Sequence, residues 1–255
     1  MDGGDSFARR GWSGPHRLMP SADARALGAL AVACLPLVSD PSSWLGGTPD
    51  FKTRPWYKSL HAHVPAFHDL ARHPALVAVV TGVLGADVIA WGVSAMRKAP
   101  GDKHPWHVDI EHAAWRGVSV FLGLTGTVPG QSGLKFIGGS HRLRGFECDP
   151  ALDDAEALAF ARAGDPDCSL DYPPLEDGEF LLFDGPVWHA SHNTGDGTRI
   201  AAILQYAAPS SRVRIPLDFR SPVTWQSEGP PCVLVAGTDR FGVNRLVGRP
   251  QSRRG

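Results

Sequence analysis

Apolar residues recur at helical spacing over 21–37, SADARALGALAVACLPL, with Ser21 placed to cap the first turn. A second apolar stretch over 64–85, VPAFHDLARHPALVAVVTGVLG, reads as two short helices parted at Pro74, since proline cannot donate the backbone hydrogen bond that a helix interior needs. From about residue 86 the pattern changes. Short runs rich in β-branched and aromatic residues (VIAWGVSAM, WRGVSVFLGL, LKFIG, GEFLLF, RIAAILQYAA, CVLVAG) alternate with Gly, Pro and Asp clusters. This alternation predicts a β-sandwich or barrel. One helical insert, ALDDAEALAFARAGDPD, is expected as a lid or a connection between strands, and the tail RPQSRRG as a frayed basic end.

Composition narrows the class. The chain has 255 residues, 43% hydrophobic and 20% charged, as expected of a soluble globular protein with a substantial core. A net charge of −1 removes any global electrostatic case for nucleic acid or an anionic membrane, so a small-molecule partner is expected and no obligate protein partner is evident. The longest apolar run, over 75–91, is too interrupted for a membrane span. The opening MDGGDS is acidic with no apolar stretch behind it, so no secretory signal is expected. Cys34, Cys148, Cys168 and Cys232 lie far apart without a C-x-x-C pair, which reads as reduced thiols in a cytoplasmic protein.

Candidate chemistry concentrates in HPWHVDIEH, His104 to His112. On a strand, His107, Asp109 and Glu111 would share one face and His112 the other. An imidazole and a carboxylate two residues apart can take adjacent corners of a metal's coordination sphere, as in the two-His, one-carboxylate face of non-haem iron, which leaves three positions open. Glu111 sits too far along to complete a compact triad, and His104, before Pro105, reads as a structural hydrogen bonder. The third ligand must come from a distant strand, and DGPVWHASHNTGDGTR offers His189 and His192 after GEFLLF, with Arg199 ten residues beyond His189. A 2-oxoglutarate chelating iron through its keto-acid end leaves a distal carboxylate, to which arginine presents a planar, permanently charged fork. The pair His61 and His63 has no accompanying carboxylate or arginine and is expected at the surface.

With HPWHVD, GLKFIGGSH (133–141), H-A-S-x-N…R (189–199) and the preceding VLGADVIAWGVSAMRKAPGD, the chain resembles the phytanoyl-CoA dioxygenase-like branch of iron(II)/2-oxoglutarate oxygenases. The resemblance runs from about Gly11 to Ala208. It implies one domain over 1–255, mainly β with supporting helices: a helical part at about 20–85 and a jelly-roll core, a cupin-like double-stranded β-helix, at about 86–240. It also implies His107, Asp109 and His189 as iron ligands, Fe(II) as cofactor, and 2-oxoglutarate and O2 as co-substrates. Arg199 matches the distal-carboxylate arginine, Ser191 the small hydroxyl residue after the second histidine, and Ser119 and Phe121 positions lining the same pocket; Ser94 and Lys58 are further co-substrate candidates. His189 is preferred over His192 because it precedes Ala-Ser as the family's ligand precedes Gly-Ser.

Related halogenases leave the carboxylate's corner to chloride, so Asp109 implies hydroxylation, or a ring closure or desaturation using the same ligands. The implied reaction yields succinate and CO2 and oxidises a small molecule, with a bacterial secondary metabolite preferred. Two readings from other classes stand beside it. A zinc hydrolase could use His104, His107 and His189 with a metal-activated water but gives no reason for Arg199, and a cupin-like protein could keep the barrel without chemistry.

Overall fold

A computed structural model describes residues 3–38, 59–109, 115–131, 133–143, 147–218, 224–225 and 228–251. Lys58, Glu111 and His112 lie outside the described residues. The chain divides into two compact units, each assembled from three segments: Met1–Gly28, Met96–Glu111 and Ser119–Ala201 form the first, and Ala29–Ala95, His112–Val118 and Ala202–Gly255 the second.

The expected helices form as α2 (Ser21–Val38), α4 (Pro65–Ala71), α5 (Pro74–Leu84) and α6 (Asp154–Gly164). Both α4 and α5 begin with proline, at the position where the missing N–H is not needed. Asp153 and Glu156 close a reciprocal capping box on α6. Two short helices, α1 (Gly3–Arg10) and α3 (Leu60–His63), were not expected. Ser21 is a correction. It stands inside the first turn of α2, where the helix closes on the carbonyl of Pro20, and its hydroxyl donates to the carbonyl of Asp177 at 3.0 Å.

All six expected β runs are strands: β2 (Val88–Lys98), β4 (Gly117–Thr125), β5 (Leu134–Gly138), β7 (Glu179–Asp184), β9 (Arg199–Ala207) and β12 (Pro231–Ala236). They join β1 (Trp12–Arg17), β3 (Lys103–His107), β6 (Ser169–Asp171), β8 (His189–His192) and β13 (Arg245–Leu246). The sheets run β1-β7-β4-β9-β2-β12-β13 and β3-β8-β5-β6, a mainly β jelly-roll arrangement with supporting helices. A separate pair, β10 (Pro216–Asp218) and β11 (Thr224–Trp225), completes the strands. The first strand precedes the helical part, contrary to a simple division into helices then strands. It pairs antiparallel with β7, Trp12 opposite Phe183.

Within the first unit, the small sheet is covered on both faces. On the inner face, Phe136 stacks on Trp12 at 5.3 Å between ring centres and meets Phe183 at 5.5 Å. On the outer face, Trp106, Ile137, Trp188 and Ala190 pack against Ala157 and Ala161 of α6. The period-2 alternation of strands explains the division: Phe136 and His189 point inward, while their neighbours Ile137 and Ala190 point outward to the helix. Burying each large side chain of this kind contributes roughly 1.5–3 kcal/mol. At the end of β5, Gly139 takes φ +95°, a left-handed conformation that costs glycine least, and starts the turn over Ser140–Arg142.

The second unit has its own apolar cluster, built from Ile89, Trp91, Ala207, Val213 and Cys232, with Trp115 and Leu234 against it. Among the described residues no helix is long and apolar enough to cross a membrane.

Candidate metal centre

The third strand carries the first histidines and is irregular for a visible reason. It pairs with β8 so that His104 lies opposite Ser191 and His107 opposite His189, which leaves Pro105 and Trp106 on one strand facing Ala190 alone on the other. Pro105, which cannot donate to the ladder, sits inside this bulge. Strict alternation would put His104 and His107 on opposite faces, but the extra residue returns both to one face, where their rings stack at 4.0 Å between centres. The strand ends at His107 and Asp109 lies in the following turn. The expectation of one strand face carrying both ligands is therefore corrected: a turn brings the carboxylate round, anchored by a hydrogen bond from the Asp109 amide to the carbonyl of Gly185 at 3.0 Å.

Each of the two histidines facing the carboxylate is tethered in the same way. His107 Nδ1 lies 2.8 Å from the carbonyl of Pro105, and His189 Nδ1 3.0 Å from that of Val187, in both cases two residues back along the chain. A carbonyl only accepts, so Nδ1 carries the proton and Nε2 keeps its lone pair. Burial, reinforced by the neighbouring His189 and His104, holds His107 well below its ordinary pKa and therefore neutral. His189 Nε2 stands 3.6 Å from Asp109 Oδ1. The other carboxylate oxygen, Oδ2, accepts a hydrogen bond from the Ser119 hydroxyl. One ligand atom from each of His107, Asp109 and His189 falls within 4.8 Å of the other two, the one such group of metal-ligand side chains among the described residues. Two imidazoles and one hydrogen-bonded carboxylate converging from one side fit a non-haem iron(II) face.

The neighbouring histidines do not join this group. His192 lies three residues beyond His189, at the end of β8, and lines an outer groove of about 690 Å³ with Lys103, Trp106 and Lys135. His104 is pushed down to about 4, chiefly by burial. The three-histidine zinc set does not assemble.

Arg199 opens β9 fully buried, its guanidinium 5.2 Å above the ring of Phe121. Burial lowers its pKa to about 10, which leaves it charged at neutral pH. Ser191 and Ser119 are buried. Ser94 is buried too, on β2 within the second unit. One residue absent from the expected set stands here. Lys98, the last residue of β2, is 4% exposed and its ammonium donates to the Ser191 hydroxyl at 2.8 Å. Its trace in the sequence is a lysine ending a long apolar strand just before a proline and glycine turn, in RKAPGD.

The sequence matches the phytanoyl-CoA dioxygenase (PhyH) family over residues 49–201. The chain belongs to that family. It is a non-haem iron, 2-oxoglutarate-dependent oxygenase, with the family's His-x-Asp…His triad present as His107, Asp109 and His189. The fold is shared with solved structures at low identity. A non-haem monooxygenase, ThoJ in its apo form, aligns with TM-score 0.69 and 21% identity over 97% of this chain and 88% of its own. EctD from S. alaskensis with 2-oxoglutarate and 5-hydroxyectoine gives 0.67 and 24% over 91% and 85%. CytC3 with Fe(II) and α-ketoglutarate gives 0.65 and 20% over 95% and 90%. These likenesses carry the double-stranded β-helix. No curated protein is matched by sequence.

Proposed function

We propose that this enzyme hydroxylates a small polar metabolite in the cytoplasm, in a bacterial secondary pathway, holding Fe(II) on His107, Asp109 and His189 and the distal carboxylate of 2-oxoglutarate on Arg199. The observation that carries the hydroxylase reading is the carboxylate: Asp109 Oδ1 stands 3.6 Å from His189 Nε2, in the corner that a halide would otherwise need. Bound iron with 2-oxoglutarate and O2 supplies the oxidant that abstracts hydrogen from a substrate C–H bond, with succinate and CO2 as co-products.

The protein's part is positioning. The carbonyls of Pro105 and Val187 fix both rings with Nε2 forward, and Ser119 holds the Asp109 carboxylate by its rear oxygen. Arg199, buried against Phe121, offers a fork to a carboxylate at a desolvated position, where a charge-assisted contact counts most. EctD bound to 5-hydroxyectoine supports the choice of a small polar substrate by analogy of fold alone.

Anaerobic titration with Fe(II) followed by 2-oxoglutarate tests the reading. A weak visible charge-transfer band is expected on adding the keto acid. A protein that takes up iron and gives no band overturns it.

A further inference from the structure

The two iron histidines are backed by different neighbours. The ring of His189 lies among apolar rings, with Phe183 at 4.7 Å and Phe136 at 6.2 Å between centres. The ring of His107 is backed by another imidazole, that of His104, at 4.0 Å with the two planes only 18° apart. His189 also meets His107 at 4.0 Å, but at a tilt of 52°. Only His104 lies flat along the ligand's face.

The backbone puts His104 there. Pro105 and Trp106 together face Ala190 alone, and the added residue carries position 104 back to the face that holds position 107, as bulges do when they re-aim a side chain. Among the described residues His104 makes no hydrogen bond and is not grouped with His107, Asp109 and His189 as a possible ligand. The hydrogen-bonding role expected of it from the sequence is therefore replaced by another: what it presents to its neighbour is a flat ring.

A flat ring is what His107 lacks elsewhere. Its Nδ1 is tethered at one point, the carbonyl of Pro105 at 2.8 Å. One hydrogen bond leaves the imidazole free to tip about its Cβ–Cγ bond, a torsion with broad wells. A second ring stacked face to face removes that freedom, because tipping His107 drives it into His104. The ring of His104 also lines the outer groove, which His107 does not, so it walls the ligand off from that groove.

We infer that His104 is a positioning residue of the iron centre: laid flat on His107 by the bulge at Pro105, its ring fixes the plane of that ligand and with it the direction of Nε2. This rests on the iron reading of the triad above. Groups that orient a ligand without touching the metal commonly govern metal affinity by about ten- to a hundredfold.

Anaerobic Fe(II) titration against a competing chelator tests this, together with the absorption spectrum of the Co(II)-loaded protein, whose ligand-field bands report the geometry of the ligand set. His104→Ala is expected to weaken Fe(II) binding by about tenfold or more and to alter the Co(II) bands. His104→Leu, which fills the space without a flat face, should do the same. His104→Phe restores a flat ring and carries no nitrogen, so it should bind Fe(II) within about threefold of wild type and show the wild-type Co(II) spectrum. Wild-type affinity and spectrum in His104→Leu overturn the inference, since the position would then need only filling. A loss in His104→Phe as large as that in His104→Leu overturns it too, because His104 would then act through a nitrogen, as the three-histidine zinc set requires. If His104→Ala fails to fold, the leucine and phenylalanine variants decide by the same two criteria. A wild-type protein that binds neither Fe(II) nor Co(II) removes the oxygenase reading and this inference together; wild-type metal binding unaltered in His104→Ala removes the inference alone.

Discussion

Buried histidines occur in both compact units and serve different ends. In the second unit, His61 is fully buried, contrary to the surface position expected from the sequence, and its Nε2 donates to the carbonyl of Pro231 at 2.7 Å. Burial pushes it down to about 4, so it is as neutral as His107 in the first unit. The difference lies in which nitrogen is engaged. His61 uses Nε2 to join two distant chain segments and, among the described residues, belongs to no metal-ligand group with a carboxylate. His107 and His189 use Nδ1 on carbonyls two residues back along the chain and are grouped with Asp109, which His189 meets through Nε2. A desolvated imidazole is therefore common to structure and to metal binding. A backward-tethered Nδ1 with a carboxylate in front separates the two.

The sharpest way to break this comparison is to remove one histidine from each unit. His189→Ala, like Asp109→Ala, should lose iron and all succinate formation while unfolding in urea near the wild-type midpoint. His61→Ala should keep its iron and lose about 2–4 kcal/mol of stability, because it leaves a cavity and an unpaired Pro231 carbonyl. Iron content after anaerobic desalting, with urea unfolding of the same samples, gives both readings. Loss of iron in His61→Ala at unchanged stability would end the distinction.

Arg199→Ala tests the pocket behind the metal. Iron content should hold, while 2-oxoglutarate binds more weakly by about 3 kcal/mol, more than a hundredfold. Arg199→Lys should recover part of that, having the charge without the fork. The concentration dependence of succinate formation at saturating iron measures both, and an unchanged dependence in Arg199→Ala would move the distal carboxylate to another residue.

A smaller effect sharpens the contrast between buried cations and buried neutral rings. Burial first, then Arg199, lowers Lys98 from 10.5 to about 7, while Asp102 opposes. Between those values the unfolded chain holds a proton that the folded protein lacks, so stability without keto acid rises with pH, by up to about 1.4 kcal/mol per unit. Below about 7 the cost of the buried charge is fully present. Urea unfolding across pH 7 to 10 should show a steeper rise in wild type than in Lys98→Met, and parallel curves would contradict the assignment. The least effect belongs to His192→Ala, which should retain iron and 2-oxoglutarate affinity within about twofold, since its ring lines the outer groove. Iron loss there would return the ligand choice to the rival histidine.

Much of this was legible in the chain. Apolar alternation marked the six long strands, and proline the break between α4 and α5, because those elements follow from local periodicity and backbone chemistry. The triad residues and Arg199 stood out by type and spacing, since iron and a dicarboxylate demand those donors. What escaped has a common cause. The bulge at Pro105, the turn that delivers Asp109, the pairing of β1 with β7 and the strand character of HASH all depend on a partner segment tens of residues away. Local propensity carries no information about that partner.

The same division holds at the site itself. The sequence alone determined which side chains could act: two imidazoles, a carboxylate and an arginine whose charge survives burial. Only the tertiary structure decided which atom of each is presented. The orientation of His107, the rear hydrogen bond of Ser119 on Asp109 and the meeting of Lys98 with Ser191 arise from strand register and desolvation, which fix direction and protonation only once distant strands are paired.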